Sequence, residues 1–292
     1  MLRQLSWLAG GWMNERITTT TRSPGARAPD GLVPFLVAVV GLTGLLLLPA
    51  GLAQRGLIAG PADRFIPLVI LGFWSPTLAA VLVARFAPGG GGVRALVRPL
   101  GIWRVGPGWV LLALGLPAAV YAGGMLGYRL LAGASAGTWL SLPLDGQRIA
   151  AMLMLPLADQ IGWRGFAYPR LARRHGALTA SLILGVLWGA WHTGKQMLFN
   201  EGAASIPPPY MMLYFVAATV VFTWIYNHTA GSLLLVVLAQ MGAYLTNPSP
   251  EALPGRVAPL VLNTVAFVVV AVALAAIDRP AWRAPIAAMP RA

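Results

Sequence analysis

Eight apolar runs, each close to the length that crosses a bilayer, constrain this chain more than anything else in it. They fall at about 32–53, 65–84, 107–131, 148–168, 177–198, 209–226, 231–247 and 257–277, with boundaries set by hydrophobic pattern. A helix needs about 20 apolar residues to span the hydrocarbon core, where every backbone polar group must be satisfied within the segment. With 58% hydrophobic and 10% charged residues, the composition is not that of an ordinary soluble domain. Breakers sit between the runs, among them Gly89-Gly90-Gly91-Gly92, Pro143, Gly176, Pro207-Pro208-Pro209 and Pro248-Ser249-Pro250. The predicted fold is all-α: a polytopic transmembrane helical bundle of about eight spans. It forms one domain over 31–278, with a motif core at about 148–247. Polar tails at 1–30 and 279–292 flank it, and the first lacks the apolar core of a secretory signal.

The charge pattern predicts orientation. If the N-terminus is inside, fifteen basic residues fall on the inner side; six fall outside, namely Arg55, Arg64, Arg129, Arg148, Lys195 and Arg256. Both termini are therefore expected in the cytoplasm of a multi-pass cell-membrane protein, here a bacterial inner-membrane one. The net charge of +13 then reflects orientation and contact with anionic lipid. Nucleic acid is excluded as a partner, because the arginines are scattered over loop ends rather than clustered with aromatics. No cysteine is present, which removes disulfides, thiolate catalysis and cysteine–metal sites.

Eight acidic residues occur, and only Asp159 lies inside an apolar run. An ionisable group at membrane depth is costly and marks a functional site by default. The fourth and fifth runs form a hairpin turning near Arg173–Gly176. At about 1.5 Å per residue, Asp159 and His192 come to a similar depth on its two arms, about 22–26 Å from the turn. Such a pair could share a proton or a water; alternatively it is a structural hydrogen bond joining two helices. Gln160 and Arg164 are four apart and share a helix face. Arg164 needs a partner, and if Asp159 serves, that carboxylate becomes a fixed anion and a poorer base. Gln240 and Tyr244, also four apart, offer an amide N–H and a phenolic O–H that could both donate to one oxygen, as an oxyanion site requires. Otherwise Gln240 cross-links helices and Tyr244 belongs to an interfacial aromatic belt. His228 reads as a solvated loop residue and His175 as part of the basic turn. Gly162 and Gly165 allow close helix approach.

These residues resemble a known family. Gln160-Ile161-Gly162-Trp163-Arg164-Gly165-Phe166 with Pro169-Arg170-Leu171, then Trp188-x-x-x-His192, then Thr223-Trp224-Ile225-Tyr226 and Thr229-Ala230-Gly231-Ser232-Leu233, are similar to the motifs of the CPBP intramembrane proteases. That family includes the CAAX prenyl proteases and bacteriocin-processing (Abi) enzymes. Ser75-Pro76-Thr77-Leu78-Ala79-Ala80, the glycine-rich linker and Trp109 also look familial, so the resemblance covers about 65–250.

The family pattern is Glu-Glu-x-x-x-Arg, an aromatic-x-x-x-His, and His-x-x-x-Asn or Asp. Here Asp159-Gln160 replace the glutamates, Gln240 the third-motif histidine and Tyr244 its Asn or Asp, while Arg164 and His192 keep the family identity. The resemblance implies hydrolysis of membrane-embedded or lipidated peptides and proteins, prenylated ones included. It also makes zinc conceivable, but Asp159 and His192 leave the ligand set incomplete, and no cofactor is expected. Asp159 is shorter than Glu by one methylene, and misplacement on that scale can cost about 10²-fold in rate. Three functions follow: a protease working without metal, a pseudoprotease or scaffold that binds in the retained cavity without cutting, and a transporter. The transporter reading lacks a visible pair of broken helices in two related halves.

Overall fold

The first apolar run forms α1, Leu32–Gln54, in a computed structural model that describes residues 30–132, 146–199, 207–245 and 257–283. Most of the 1–30 tail, the end of the 279–292 tail, and Glu15, Asp145, Glu201 and Glu251 lie outside the described residues. The second run is bent. A 3-10 turn at Ala62–Phe65 leads into α2, Ile66–Phe73, and Trp74 separates it from α3, Ser75–Phe86, at 52°. Pro76, in the first turn of α3, cannot donate back into α2, which accounts for the break. A short α4, Val93–Val97, leads to α5, Pro107–Ala132.

The motif core begins with α6, Gly146–Gln160, runs without a loop through a π-helical stretch at Ile161–Ala167, and ends in α7, Tyr168–His175. Pro169 follows directly on the wide turn, so the residue that cannot donate falls where the register is already disturbed. Gly176, at φ 78°, turns the chain into α8, Ala177–Phe199. Then come α9, Pro208–His228, α10, Leu233–Leu245, α11, Val257–Ile277, and a short α12, Arg279–Arg283.

All eight apolar runs are helical where described, apart from Trp74 at the bend and Gly231 and Ser232 ahead of α10. Four helices are long and apolar enough to cross a membrane: Leu32–Gln54, Pro107–Leu131, Pro208–His228 and Leu260–Ile277. The bent α2–α3 pair makes a fifth. The rest of the expected eight fall short for physical reasons. The α6–α7 rod and α8 carry Asp159, Gln160, Arg164, His192 and Lys195, and α10 is only 13 residues long.

Close backbone contact fixes the helices around the core. A Cβ at Gly162 would lie 2.4 Å from the Pro76 carbonyl oxygen, and one at Gly242 2.1 Å from that of Leu114. These glycines let the π stretch meet α3, and α10 meet α5, in the small-residue manner of membrane helices. Gly185 and Gly189 do the same for α8 against α9.

The helix ends sort into two groups. At one, Arg174 pairs with Asp30 at 2.7 Å and Arg170 donates to the carbonyls of Asp30 (2.6 Å) and Gly90 (2.7 Å). His228 pairs there with Asp278 at 2.8 Å and stacks on Trp109, so it is not the solvated loop residue expected. At the other end Arg55 donates to the Leu198 carbonyl, 3.2 Å away, tying the end of α1 to the end of α8.

Candidate active site

Three helices converge on Asp159. The α6 helix carries it near its end, and Thr77 of α3 donates to the neighbouring Ala158 carbonyl at 2.8 Å, just before the register widens into the π stretch. From α8, His192 places Nε2 3.6 Å from Asp159 Oδ2. From α10, Gln240 donates through Nε2 to the same oxygen at 3.0 Å. Asp159, Gln160 and Gln240 are all buried.

The carboxylate sets the polarity of the surrounding amides. Because it can only accept, Gln240 turns its N–H groups towards it, which leaves the Gln240 oxygen to accept from Gln160 Nε2. Gln240 also donates to the Tyr244 oxygen at 3.1 Å. The two N–H positions of Gln240 are thus engaged by Asp159 and Tyr244. Tyr244 accepts from Gln240, so its own O–H hydrogen is available to another acceptor, and the residue lines the cavity rather than a belt.

The imidazole is held by aromatic packing. It stacks on Phe215 with centroids 4.1 Å apart, and Trp191 and Trp188 meet it edge-on at 4.8 and 5.5 Å. Trp191 Nε1 donates to Thr43, which is hydrogen-bonded to Ser75, so α1 and α3 together brace this stretch of α8. Nε2 of His192 is buried and has no hydrogen-bond partner among the described residues. A cavity of about 220 Å³ lies against it, lined by Asp159, His192, Lys195, Gln196 and Tyr244 with apolar walls that include Phe73 and Met211.

Arg164 faces away from this group. Its guanidinium donates to Thr219 of α9 at 3.0 Å and lies over the rings of Trp188 (4.2 Å) and Phe222 (5.3 Å). Its Nε and Nη1 have no hydrogen-bond partner among the described residues. Cation–π contact with two rings takes the place of the ion pair that the spacing suggested. Gln160 reaches Gln240 rather than Arg164.

Sequence reasoning counted Lys195 only among the basic residues of the outer side, at the end of the fifth apolar run; it is buried within α8, three positions after His192 on the same face. Its ammonium rests over Trp191 at 3.4 Å and Phe73 at 4.6 Å. The i, i+3 spacing from His192 was a usable signal. Thr219 was missed too, and nothing in the linear sequence pairs it with Arg164.

The site does not suit zinc. Gln240 presents N–H rather than oxygen to Asp159, so a donor stands where a third ligand would be needed. Among the described residues no group of three His, Cys, Asp or Glu side chains could hold a metal ion.

A helical bundle with several membrane-crossing helices around a buried carboxylate–imidazole pair defines a multi-pass membrane protein with a polar intramembrane site. Comparison with known proteins supports the family resemblance read from the motifs. Residues 146–246 match the family model described as type II CAAX prenyl endopeptidase Rce1-like. A stretch of 139 residues is 22% identical to CAAX prenyl protease 2 of Methanococcus maripaludis, covering 44% of this chain and 48% of that protein. The match to that relative spans about half of its length, and the family-model match at 146–246 contains all the site residues described above apart from those of α1–α3.

Proposed function

We propose that the protein is an intramembrane endopeptidase that works without a metal ion, hydrolysing a peptide bond in a membrane-embedded or lipidated segment, prenylated ones included. The observation that carries this reading is the buried Nε2 of His192, without a hydrogen-bond partner among the described residues and 3.6 Å from Asp159 at the wall of a cavity. That separation is too long for a good direct hydrogen bond, and a water at the cavity wall can contact both groups. The Asp159–His192 pair takes a proton from this water as its oxygen attacks the substrate carbonyl. The tetrahedral oxyanion receives the Tyr244 O–H. Collapse breaks the C–N bond, and the proton returns from the pair to the leaving amine. Gln240 positions Asp159 and Tyr244, and Arg164 braces α9 against the π stretch.

One observation favours a second reading, binding without cleavage. The Asp159 oxygen that faces His192 already accepts from Gln240, which weakens it as a base. Purified protein in detergent, incubated with hydrophobic and farnesylated peptides and analysed by mass spectrometry, separates the two. Hydrolysis is expected in the wild type, with loss of at least about 10²-fold in Asp159→Asn and His192→Ala. Equal cleavage by the wild type and either variant ends the catalytic reading.

The same proposal takes residues 31–278 as one domain of eight spans with both termini in the cytoplasm of the bacterial inner membrane. The end that gathers Arg85, Arg94, Arg98, Arg104, Arg170, Arg173 and Arg174 is then cytoplasmic. The cavity is lined by residues near the end of α8 and the start of α9, away from that end.

A further inference from the structure

The chain between α3 and α5 joins two membrane-crossing segments: Phe86 closes the bent span and Pro107 opens the next. Residues 87–106 therefore lie at the level of the bilayer surface. Three apolar side chains in or beside this stretch are exposed, Phe86 (74%), Val97 (40%) and Trp103 (61%). Arg85, Arg94 and Arg104 are exposed beside them and make no ion pair among the described residues. Water would leave the apolar groups unburied, and hydrocarbon would leave the charges without a partner. A patch of both kinds suits the headgroup region, where aromatic rings and arginine stems sit in apolar surroundings with their polar ends wet.

The patch is held from behind. Leu96 of α4 is buried and lies against Gly165 of the π stretch. Arg170, itself buried, donates to the carbonyls of Gly89 (3.3 Å) and Gly90 (2.7 Å). The Gly92 N–H donates to the Ala84 carbonyl at 3.1 Å, which returns the loop to the end of α3. Arg85 is one residue beyond that bond in α3, and Arg94 is two residues beyond it in α4. Both arginines are thus rooted at one corner, fixed by a hydrogen bond rather than carried on a free loop. Arg85 lies over Phe86 and Arg104 over Trp103, each 5.2 Å from the ring centroid.

We propose that this corner is a binding surface for an anionic phospholipid, with Arg85 and Arg94 on the headgroup and Phe86, Val97 and Trp103 against the upper acyl chains. Guanidinium groups pair with phosphate oxygens two at a time, and clustered arginines at a membrane surface favour anionic over zwitterionic lipid. A soluble phosphate would satisfy the arginines and leave the apolar side chains in water, so a lipid is the occupant that both halves of the patch fit. The surface is remote from the cavity and stands independently of the hydrolytic reading.

The test uses the full chain in bilayers of phosphatidylcholine and phosphatidylglycerol, with one lipid or the other carrying brominated acyl chains that quench tryptophan on contact. The chain has eleven Trp residues, so the share of Trp103 is taken as the difference between each protein and its Trp103→Phe counterpart. Both leaflets carry the same mixture, which makes the result independent of orientation. Quenching of Trp103 is expected to show a preference for phosphatidylglycerol of at least about 5-fold at low salt, falling towards one in about 1 M NaCl. Arg85→Gln combined with Arg94→Gln brings the low-salt preference close to one. Arg279→Gln, at the same end of the bundle and outside the patch, leaves it unchanged.

Both substituted arginines are exposed, and gel filtration with a thermal melt shows whether the double variant folds. If it does not, Arg94→Gln alone, set beside the parent, gives the answer through a lowered or an unchanged preference. Equal quenching by the two lipids in the parent protein overturns the proposal, as does an unchanged preference in the folded double variant. An equal fall in Arg279→Gln also overturns it, since general surface charge would then suffice. Displacement of the lipid by millimolar glycerol 3-phosphate would assign the corner to a soluble phosphate instead; failure of that anion to compete upholds the lipid.

Discussion

At the scale of single residues, the chemistry turns on which donors around Asp159 are already committed. Gln240 spends its amide on the carboxylate and on Tyr244, so Tyr244 holds the hydroxyl hydrogen that can meet an oxyanion. Tyr244→Phe is therefore expected to lower kcat by about 10²–10³-fold with little change in KM, measured on any peptide the wild type cleaves. Gln240→Leu removes the amide from Asp159 and Tyr244 together and should cost at least as much; wild-type kcat in that variant would show that the network does not position the pair. The meeting of Asp159 and His192 was legible in the sequence, because counting residues from one hairpin turn gives depth on both arms. The surroundings of Arg164 and Lys195 were not. Both cations rest on aromatic faces supplied partly by other helices, Phe222 of α9 and Phe73 of α2, and no linear spacing encodes such a contact.

At the scale of elements, the π stretch at Ile161–Ala167 and the bend at Trp74 meet at Gly162. A Cβ there would press on the Pro76 backbone, which cannot move without shifting α3 and with it Thr77. Gly162→Ala is expected to destabilise the protein by about 1–3 kcal/mol, read as a lower midpoint of thermal unfolding in detergent. Gly123→Ala, in α5 with open space around the added methyl, should be neutral or stabilising by up to about 1 kcal/mol. Equal effects at the two positions would contradict the packing account. The runs of apolar residues showed most of the helices within a residue or two, because bilayer length sets a coarse, strong signal; the fourth was read to 168, whereas the helical rod continues to His175. The bend had a local signal in Pro76, whereas the π stretch had none, since the close approach of Gly162 to the Pro76 backbone joins segments far apart in the chain.

At the scale of the molecule, the proposed orientation rests on two ends of unequal charge, and the lack of cysteine makes it directly testable. A single cysteine in the Gly89–Gly92 loop should resist a membrane-impermeant maleimide in intact spheroplasts and react in inverted vesicles. One at Phe199, by the cavity, should do the reverse; the opposite pattern would invert the topology. Charge counting gave this expectation. The number of spans was less legible, because the polar groups that make the site also make its helices less apolar. The central claim, that water attacks a peptide carbonyl between Asp159 and His192, is met most directly by hydrolysis in ¹⁸O-enriched water. Mass spectrometry should find one ¹⁸O in each new carboxyl end released by the wild type, and no product from Asp159→Asn. Labelled product from that variant at the wild-type rate would contradict the account.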